Sequence, residues 1–259
     1  MTDQIQLERE GAIATVTLNQ PERFNAMNEG MWRGLGNAMK ECDGDTDLRC
    51  VIIRGAGGKA FSAGADIKEF ETTRKDKKTS LTYGKVTTYG FGSIIACRHP
   101  VVAQIDGLCV GGGMGIASCC DIRVCGLSSK FGVPVKKLGL VEAHEEVRPL
   151  VEKFGANVAL EILLLGDVFP VTDALRMGLI NQVVPDGEVA ATARATAEKI
   201  AEGAPLSARW HKKFIYRLLD PAPLTDAEID EGFDCYDTED FQTGRQAFVE
   251  KISPVFAGR

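Results

Sequence analysis

Three consecutive glycines, residues 111–113, stand between an apolar strand pattern and an apolar helical pattern within residues 100–121 (PVVAQIDGLCVGGGMGIASCCD). Side-chain packing does not explain three adjacent residues without a Cβ, but such residues allow a ligand to approach the backbone closely. Where a helix begins, backbone N–H groups have no intrahelical acceptor and favour an anion. The pattern therefore predicts a site for negative charge.

The spacing of the glycines separates phosphate sites from other anion sites. Residues 111–115 (GGGMG) do not fit the G-x-G-x-x-G of dinucleotide folds, and residues 55–60 (GAGGKA) lack the spacing and the Ser/Thr of a P-loop. The remaining interpretation is an oxyanion hole, in which backbone donors meet charge that develops during the reaction. Such a hole usually needs two donors, and residues 61–66 (FSAGAD) provide a second small-residue turn upstream.

Residues 61–70 (FSAGADIKEF) and 105–124 (IDGLCVGGGMGIASCCDIRV) together resemble the paired signature of the crotonase superfamily, the enoyl-CoA hydratase/isomerase family. Four more pieces follow the family's order: LNQPERFNAM at 18–27, FGVPVKKLGL at 131–140, GLINQVVP at 178–185 and AFVEKISPVF at 247–256. The resemblance covers nearly the whole chain. It implies an acyl-CoA thioester enzyme of fatty acid metabolism with an enolate-like intermediate, and no cofactor besides the coenzyme A of the substrate.

The resemblance also assigns roles to single residues. The thioester oxygen would lie between the backbone N–H groups of Ala65 and Gly112. Residues near these two amides, in the PERFNAM segment and in the C-terminal tail would contact the substrate or its CoA, the tail often that of a neighbouring subunit. These residues are Arg23, Ala26, Ala63, Asp66, Ile67, Lys68, Gly111 and Lys251.

The acid–base residues are where the sequence departs from the family. The hydratase pattern has one Glu two residues after the third glycine and another directly after the proline of F-G-x-P. This chain has Gly115 and Val135 there, and neither can move a proton. A two-glutamate hydration is therefore not expected. Family members that act as isomerases or dehalogenases place a carboxylate shortly after the L-G-L segment, where this chain has Ala143.

Ionisable side chains surround Ala143 in residues 139–150 (GLVEAHEEVRPL). They are either exposed first-turn residues of a helix, favoured there by the macrodipole, or one or two of them turn inward as a base. Because an oxyanion hole without a proton-transfer group would have little to do, we favour the base. Glu142 and His144 are the first candidates, and Glu145 and Glu146 stay open.

Three functional hypotheses follow. The leading one is an isomerase-like acyl-CoA enzyme of the enoyl-CoA hydratase/isomerase family. The second is a hydrolase of CoA thioesters, or a lyase or hydrolase that cleaves a C–C bond, with His144 activating water. The third is a catalytically silent acyl-CoA-binding subunit, which the loss of both glutamates would suit. Turnover on a panel of enoyl-CoAs separates them.

Composition narrows the class further. The chain has 259 residues, of which 44% are hydrophobic and 25% charged, and its net charge of −6 argues against nucleic-acid or anionic-membrane binding. Eight cysteines without framework spacing predict buried thiols in a reducing compartment, and three scattered histidines predict no metal site. Apolar runs are too short to span a bilayer, and the polar start is no targeting peptide. We expect a cytoplasmic protein.

Strand and helix patterns predict an α/β fold, which the resemblance specifies as a crotonase-like spiral of strand-strand-helix units. Predicted strands cover 11–18, 50–54, 122–124 and 180–184, and predicted helices cover 28–42, 81–97, 158–165, 172–177, 188–202, 205–219 and 225–251. Residues 72–79 (TTRKDKKT) predict a solvated, mobile loop. Residues 1–190 would form the core with the acyl-CoA site. Residues 191–259 would form a helical region that, by resemblance, builds homotrimers and hexamers.

Overall fold

The computed structural model describes residues 4–259 as two β-sheets surrounded by helices. The six-stranded sheet has the order β1 (Ile5–Glu10), β2 (Ile13–Leu18), β3 (Cys50–Gly55), β5 (Val101–Ile105), β7 (Ile122–Gly126) and β10 (Gln182–Val184). The four-stranded sheet has the order β4 (Ala60–Ser62), β6 (Leu108–Val110), β8 (Lys130–Gly132) and β9 (Val168–Pro170). All neighbours pair in parallel except β1 with β2 and β8 with β9.

The helices of the first part of the chain are α1 (Glu29–Gly44), α2 (Phe70–Thr73), α3 (Lys77–Ala96), α4 (Gly112–Cys119) and α5 (His144–Leu165). Those that follow are α6 (Val171–Arg176), α7 (Val189–Glu202), α8 (Pro205–Arg217), α9 (Asp226–Glu231) and α10 (Glu239–Glu250). Short 3₁₀ turns span Pro21–Arg23, Ile67–Glu69, Pro134–Leu138, Asp186–Glu188 and Asp234–Asp237.

Consecutive strands alternate between the two sheets. The pairs β3 and β4, β5 and β6, and β7 and β8 each place their first strand in the six-stranded sheet and their second in the four-stranded sheet, and a helix follows each pair. This repetition confirms the predicted α/β spiral of strand-strand-helix units. It also brings the ends of β4 and β6, which carry the two small-residue turns, side by side in one sheet.

The six-stranded sheet is covered on both faces. One face packs into the main core with α1, α3 and α4, where Trp32, Met39 and Ile94 are fully buried. On the other face, Ile52, Val102 and neighbouring strand residues pack against Val189 and the alanines of α7. Helix α7 begins at Val189, crosses the predicted division at residue 190 and packs on the sheet. The division itself stays a prediction.

Two segments differ from their sequence predictions. Residues 72–79 are not one loop, because α2 ends at Thr73 and α3 begins at Lys77 with Asp76 and Thr79 forming a capping box. The helix predicted at 158–165 is the second part of α5, which begins at His144 and breaks at Gly155 (φ 82°). Its first part was missed because Pro149 and Gly155 interrupt the helical pattern.

Several short strands are absent from the sequence prediction, and two of them, β1 and β9, depend on pairing rather than on pattern. β1 lies in the polar start of the chain and forms an antiparallel hairpin with β2, and β9 adds an antiparallel edge to β8. The predicted helix at 225–251 is divided by the turn at Asp234–Asp237 into α9 and α10. Along residues 4–259, no helix is long and apolar enough to cross a membrane.

Candidate active site

The two small-residue turns pack against each other without room for side chains. A Cβ at Gly64 (φ +92°) would lie 2.9 Å from Val110 O and 3.0 Å from the Gly112 nitrogen. A Cβ at Gly113 would lie 2.4 Å from Ser62 O. The expectation that packing does not explain the three glycines is therefore wrong for Gly113. Close packing of backbone on backbone is what brings the two turns together.

The PERFNAM segment holds the first turn from the other side. The Met27 amide donates to Gly64 O at 2.7 Å, and the Asp66 amide donates to Met27 O at 3.0 Å. The buried Asn25 (φ 55°) extends this clamp, since its Nδ2 donates to the carbonyl oxygen of Ala60 at 2.8 Å. In this parallel bridge the Ala65 N–H is directed away from Met27 and keeps no backbone acceptor.

The Ala65 and Gly112 residues line one cavity of about 320 Å³. Gly112 is the first residue of α4, and its N–H therefore has no acceptor within that helix. Within the described residues 4–259, neither amide has a hydrogen-bond partner. Two backbone donors without partners thus belong to residues that line the same cavity. An oxyanion hole requires such donors.

The wall next to these amides is apolar and rigid. The Trp32 and Phe91 rings meet edge to face at a centroid distance of 4.8 Å, and both are almost fully buried. Trp32 Nε1 donates to the Tyr83 hydroxyl at 2.9 Å, which fixes the indole. The rest of the lining is mostly aliphatic: Ile67, Val110, Met114, Val133, Val135, Leu138, Leu140, Val147, Leu150 and Leu163. This part of the lining suits an apolar segment of a ligand.

Two carboxyl groups, those of Glu142 and Glu146, line the same cavity. Glu146 caps its own helix, because the Ala143 amide donates to Glu146 Oε2 at 2.8 Å, and Thr87 Oγ1 lies 3.2 Å from Glu146 Oε1. Burial, then the charge of Glu146 and a hydrogen bond between the two carboxyl groups, raise the pKa of Glu142 from 4.5 to about 8.

A carboxyl group with a pKa near 8 is suited to proton transfer at neutral pH. Since Glu146 is the acceptor for the proton that Glu142 holds, the two groups act as a pair rather than as independent acids. Of the four residues that the sequence left open as the base, Glu142 and Glu146 line the cavity that Ala65 and Gly112 also line.

His144 and Glu145 do not line this cavity. His144 is exposed at the first turn of α5 and lies along a shallow outer depression with Arg148 and Glu152. Glu145 is also exposed, and its carboxylate pairs with Arg148 at 3.2 Å. Sequence reasoning placed His144 among the first candidates because it neighbours position 143, but the helix turns its side chain outward. The interpretation as an exposed first-turn residue holds for these two.

Arg74 is a cavity residue that sequence reasoning missed. It lies in the charged run at 72–79, which was interpreted as solvated. The guanidinium carbon stands 4.9 Å from the Phe70 ring centroid and 4.4 Å from the Tyr83 ring centroid. The only signal in the sequence was the spacing of four residues from Phe70, which places both side chains on one face of a helical turn.

Comparison with known proteins decides the family. A sequence model described as enoyl-CoA hydratase/isomerase matches residues 8–259. The chain belongs to the enoyl-CoA hydratase/isomerase family. This match confirms the resemblance to the crotonase superfamily that the sequence motifs indicated.

Relatives in this family align along their whole length. A short-chain-enoyl-CoA hydratase of Clostridium acetobutylicum is 33% identical over 95% of this chain and 94% of its own. A carnitinyl-CoA dehydratase of Salmonella typhi is 31% identical over 100% of both chains. The crystal structure of an enoyl-CoA hydratase/carnithine racemase from Magnetospirillum magneticum is 47% identical, with a TM-score of 0.98 over 100% of this chain and 97% of that one.

The structure shows where the two positions lie at which the hydratase pattern has glutamates. Gly115 and Val135 both line the cavity of this family member. A Cβ at Gly115 would lie 2.7 Å from Cζ of Phe91, so the aromatic ring fills the space that a longer side chain at position 115 would need. Val135 adds an apolar surface. The cavity therefore carries no proton-transfer group at these two positions.

The residues predicted to contact the substrate and CoA in this family member fall into two sets. Those that line the cavity are Ala63, Ile67 and Gly111. The others lie outside it: Arg23, Ala26, Asp66, Lys68 and Lys251. Arg23 Nη1 pairs with the buried Asp66 Oδ2 at 2.5 Å, and Asp66 Oδ1 also accepts the Lys68 amide. Asp66 thus braces the turn, and the exposed cations Lys68 and Lys251 remain predicted CoA contacts.

Metal ligands are also absent from the described residues, where no group of three or more His, Cys, Asp or Glu side chains could hold an ion. Seven of the eight cysteines are buried, all eight are free thiols, and Cys235 is half-buried. Burial raises the pKa of Cys42 and Cys50 to about 12, so these thiols are not reactive nucleophiles.

Proposed function

We propose that the protein transfers protons on acyl-CoA thioesters through an enolate-like intermediate. The observation that carries this proposal is a single cavity lined by two unpartnered backbone amides and by a carboxyl pair with a raised pKa. The amides of Ala65 and Gly112 would stabilise the negative charge on the thioester oxygen. Glu142, paired with Glu146, would take the α-proton of the acyl group. No cofactor besides the substrate's CoA enters this proposal.

The proposed reaction is isomerase-like rather than a hydration. Addition of water needs groups that hold and activate it, and Gly115 and Val135 supply none. An α-proton shift needs only one base near the polarised thioester. Glu142 is the base that the cavity offers for this step, and the apolar wall of Trp32 and Phe91 would exclude bulk water.

The CoA part of the substrate would lie outside the acyl cavity. Arg23, Ala26 and Lys68 occupy the exposed side of the clamped turn, where cations suit the phosphates of CoA. Lys251 sits at the C-terminal end of α10, and its contact would be to the CoA of a neighbouring subunit. The proposed location of the protein is the cytoplasm, which agrees with buried, unpaired thiols.

The first test compares α-proton exchange on a short 3-enoyl-CoA, whose α-carbon is sp3 and carries acidic hydrogens, with hydration of crotonyl-CoA. We expect exchange of the α-proton with deuterium, followed by mass spectrometry, to be at least about 100-fold faster than hydration of crotonyl-CoA, because two acid–base groups of hydration are missing. Hydration is measured as loss of the enoyl absorbance under the same conditions. Rapid hydration of crotonyl-CoA would contradict the isomerase-like proposal, whereas loss of both reactions would favour the silent binding subunit.

The hypothesis of a hydrolase in which His144 activates water gains no support, since His144 lies outside the cavity. A silent acyl-CoA-binding subunit is also disfavoured. Binding alone does not need a buried carboxyl pair, which costs free energy of folding through the raised pKa of Glu142.

The second test concerns assembly, and we expect a homotrimer or a dimer of trimers. The C-terminal region exposes large apolar side chains, with Phe248 at 86%, Val249 at 76% and Val255 at 87% exposure. Exposed apolar groups clustered in this way mark an interface. Light scattering at micromolar concentration should give a multiple of three of the 27.9 kDa subunit mass. A monomer mass would refute the expectation.

A further inference from the structure

The Arg74 guanidinium is a cation without an anionic partner in an apolar cavity. Its Nε is buried and has no hydrogen-bond partner. Among residues 4–259, no carboxylate oxygen lies within 4.0 Å of an Arg74 nitrogen, which is the distance limit for an ion pair. Its close contacts are the faces of the Phe70 and Tyr83 rings. A buried donor without an acceptor costs free energy, and this cost is removed when a bound ligand supplies the acceptor.

The neighbouring acidic pair does not take this role. Glu146 is already held by the Ala143 amide and Thr87, and Glu142 holds a proton against Glu146. Arg74 acts on Glu142 only through its field, as the weakest of the influences on that carboxyl group. A hydrogen bond to the Tyr83 hydroxyl engages part of the guanidinium. The buried Nε stays without an acceptor and is available to a group that enters the cavity from outside.

The rings fix where this fork points. Phe70 and Tyr83 stack on the guanidinium, and Tyr83 is itself held by Trp32 Nε1 at 2.9 Å. The planar guanidinium of Arg is suited to bidentate contact with a planar carboxylate, and such charge-assisted pairs are among the strong hydrogen bonds of proteins. The cavity of about 320 Å³ is at the small end for ligand pockets, so the chain between thioester and carboxylate must be short.

We infer that Arg74 determines specificity by binding a terminal carboxylate on the acyl group, so that the substrates are short dicarboxylic acyl-CoAs. This inference rests on the proposed function, because it takes the thioester oxygen to lie at the Ala65 and Gly112 amides. The carboxylate then occupies the other polar point of the cavity. Acyl groups that end in an apolar group leave the guanidinium without an acceptor and are disfavoured.

The test uses the full-length protein and three short 3-enoyl-CoAs of equal chain length that end in a carboxylate, a carboxamide or an isopropyl group. Binding is measured by calorimetry and kcat/KM by α-proton exchange. We expect kcat/KM for the carboxylate to exceed that for the isopropyl compound by about 100-fold or more, with the carboxamide well below the carboxylate. This panel needs no variant, so the inference does not depend on how a mutant folds.

Variants assign the preference to Arg74. Arg74→Gln should lower kcat/KM for the carboxylate compound and leave the isopropyl compound within about threefold, and Arg74→Lys should keep part of the preference because the charge remains without the fork. Lys75→Gln is the matched control, since Lys75 is the adjacent exposed cation and lies outside the cavity. It should keep the full preference.

Three results would overturn the inference alone: equal kcat/KM for carboxylate and isopropyl compounds, equal values for carboxylate and carboxamide, or an Arg74→Gln variant that loses the same factor on every compound. The last would mean that Arg74 only supports the cavity. Failure of all three compounds to bind would instead overturn the proposed function and this inference with it.

Discussion

Gly112→Pro is expected to lower kcat by about 10² to 10³ relative to Gly112→Ala, because proline removes the backbone donor at the proposed oxyanion hole. Position 112 is the first residue of α4, where proline is well tolerated in a helix and where the missing N–H breaks no intrahelical bond. The comparison is made by measuring α-proton exchange under saturating substrate for both variants.

The alanine variant is the control that makes this result interpretable. A Cβ at position 112 would lie 2.9 Å from Cζ2 of Trp32, and both variants share this contact. Proline in addition deletes the N–H, adds its ring at the nitrogen and restricts Gly111. Melting temperatures therefore report the cost to the fold for each variant, while turnover separates the two. Equal turnover of the proline and alanine variants would show that the Gly112 amide does not hold the thioester oxygen.

Glu142→Gln is expected to lower kcat/KM by about 10² to 10⁴, the usual contribution of a positioned general base. A base works in its deprotonated form, so in the wild type kcat/KM should rise with pH and level off above about 8, the raised pKa of Glu142. The glutamine variant should lose this rise. The measurement is kcat/KM for α-proton exchange from pH 5.5 to 9.

Neighbouring substitutions test whether the base is Glu142 or the segment in general. Glu145→Gln and His144→Ala alter exposed side chains outside the cavity and should keep nearly full activity. Glu146→Gln should move the rise in kcat/KM to lower pH, because it removes the negative charge that helps to raise the pKa of Glu142. Full activity of Glu142→Gln, or loss in His144→Ala, would move the base elsewhere.

Sequence reasoning was strongest where function depends on the backbone. The turns at 61–66 and 111–113 could be located because small residues at fixed positions are required by close approach, whatever the surrounding side chains are. The family and the α/β spiral followed from the same motifs and are confirmed. The fold also explains more than the motifs did, since Gly113 is needed for packing on Ser62.

Side-chain direction could not be obtained in this way. Glu142, His144 and Glu146 lie within five residues, and which of them faces the cavity depends on where α5 begins. That start was hidden by Pro149, which argues against a helix in any local pattern. Arg74 was hidden for a different reason, because a charged run predicts solvent exposure and gives no sign that one member stacks on Phe70 and Tyr83.

The shared proton of Glu142 and Glu146 also links folding to pH. In the unfolded chain Glu142 would titrate near 4.5, whereas in the folded chain it titrates near 8, so folding between these values takes up a proton from water. Since the folded form binds more protons, the free energy of unfolding contributed by this group falls as pH rises from about 4.5 to about 8. The protein therefore gives up part of its stability over the pH range in which its proposed base becomes active.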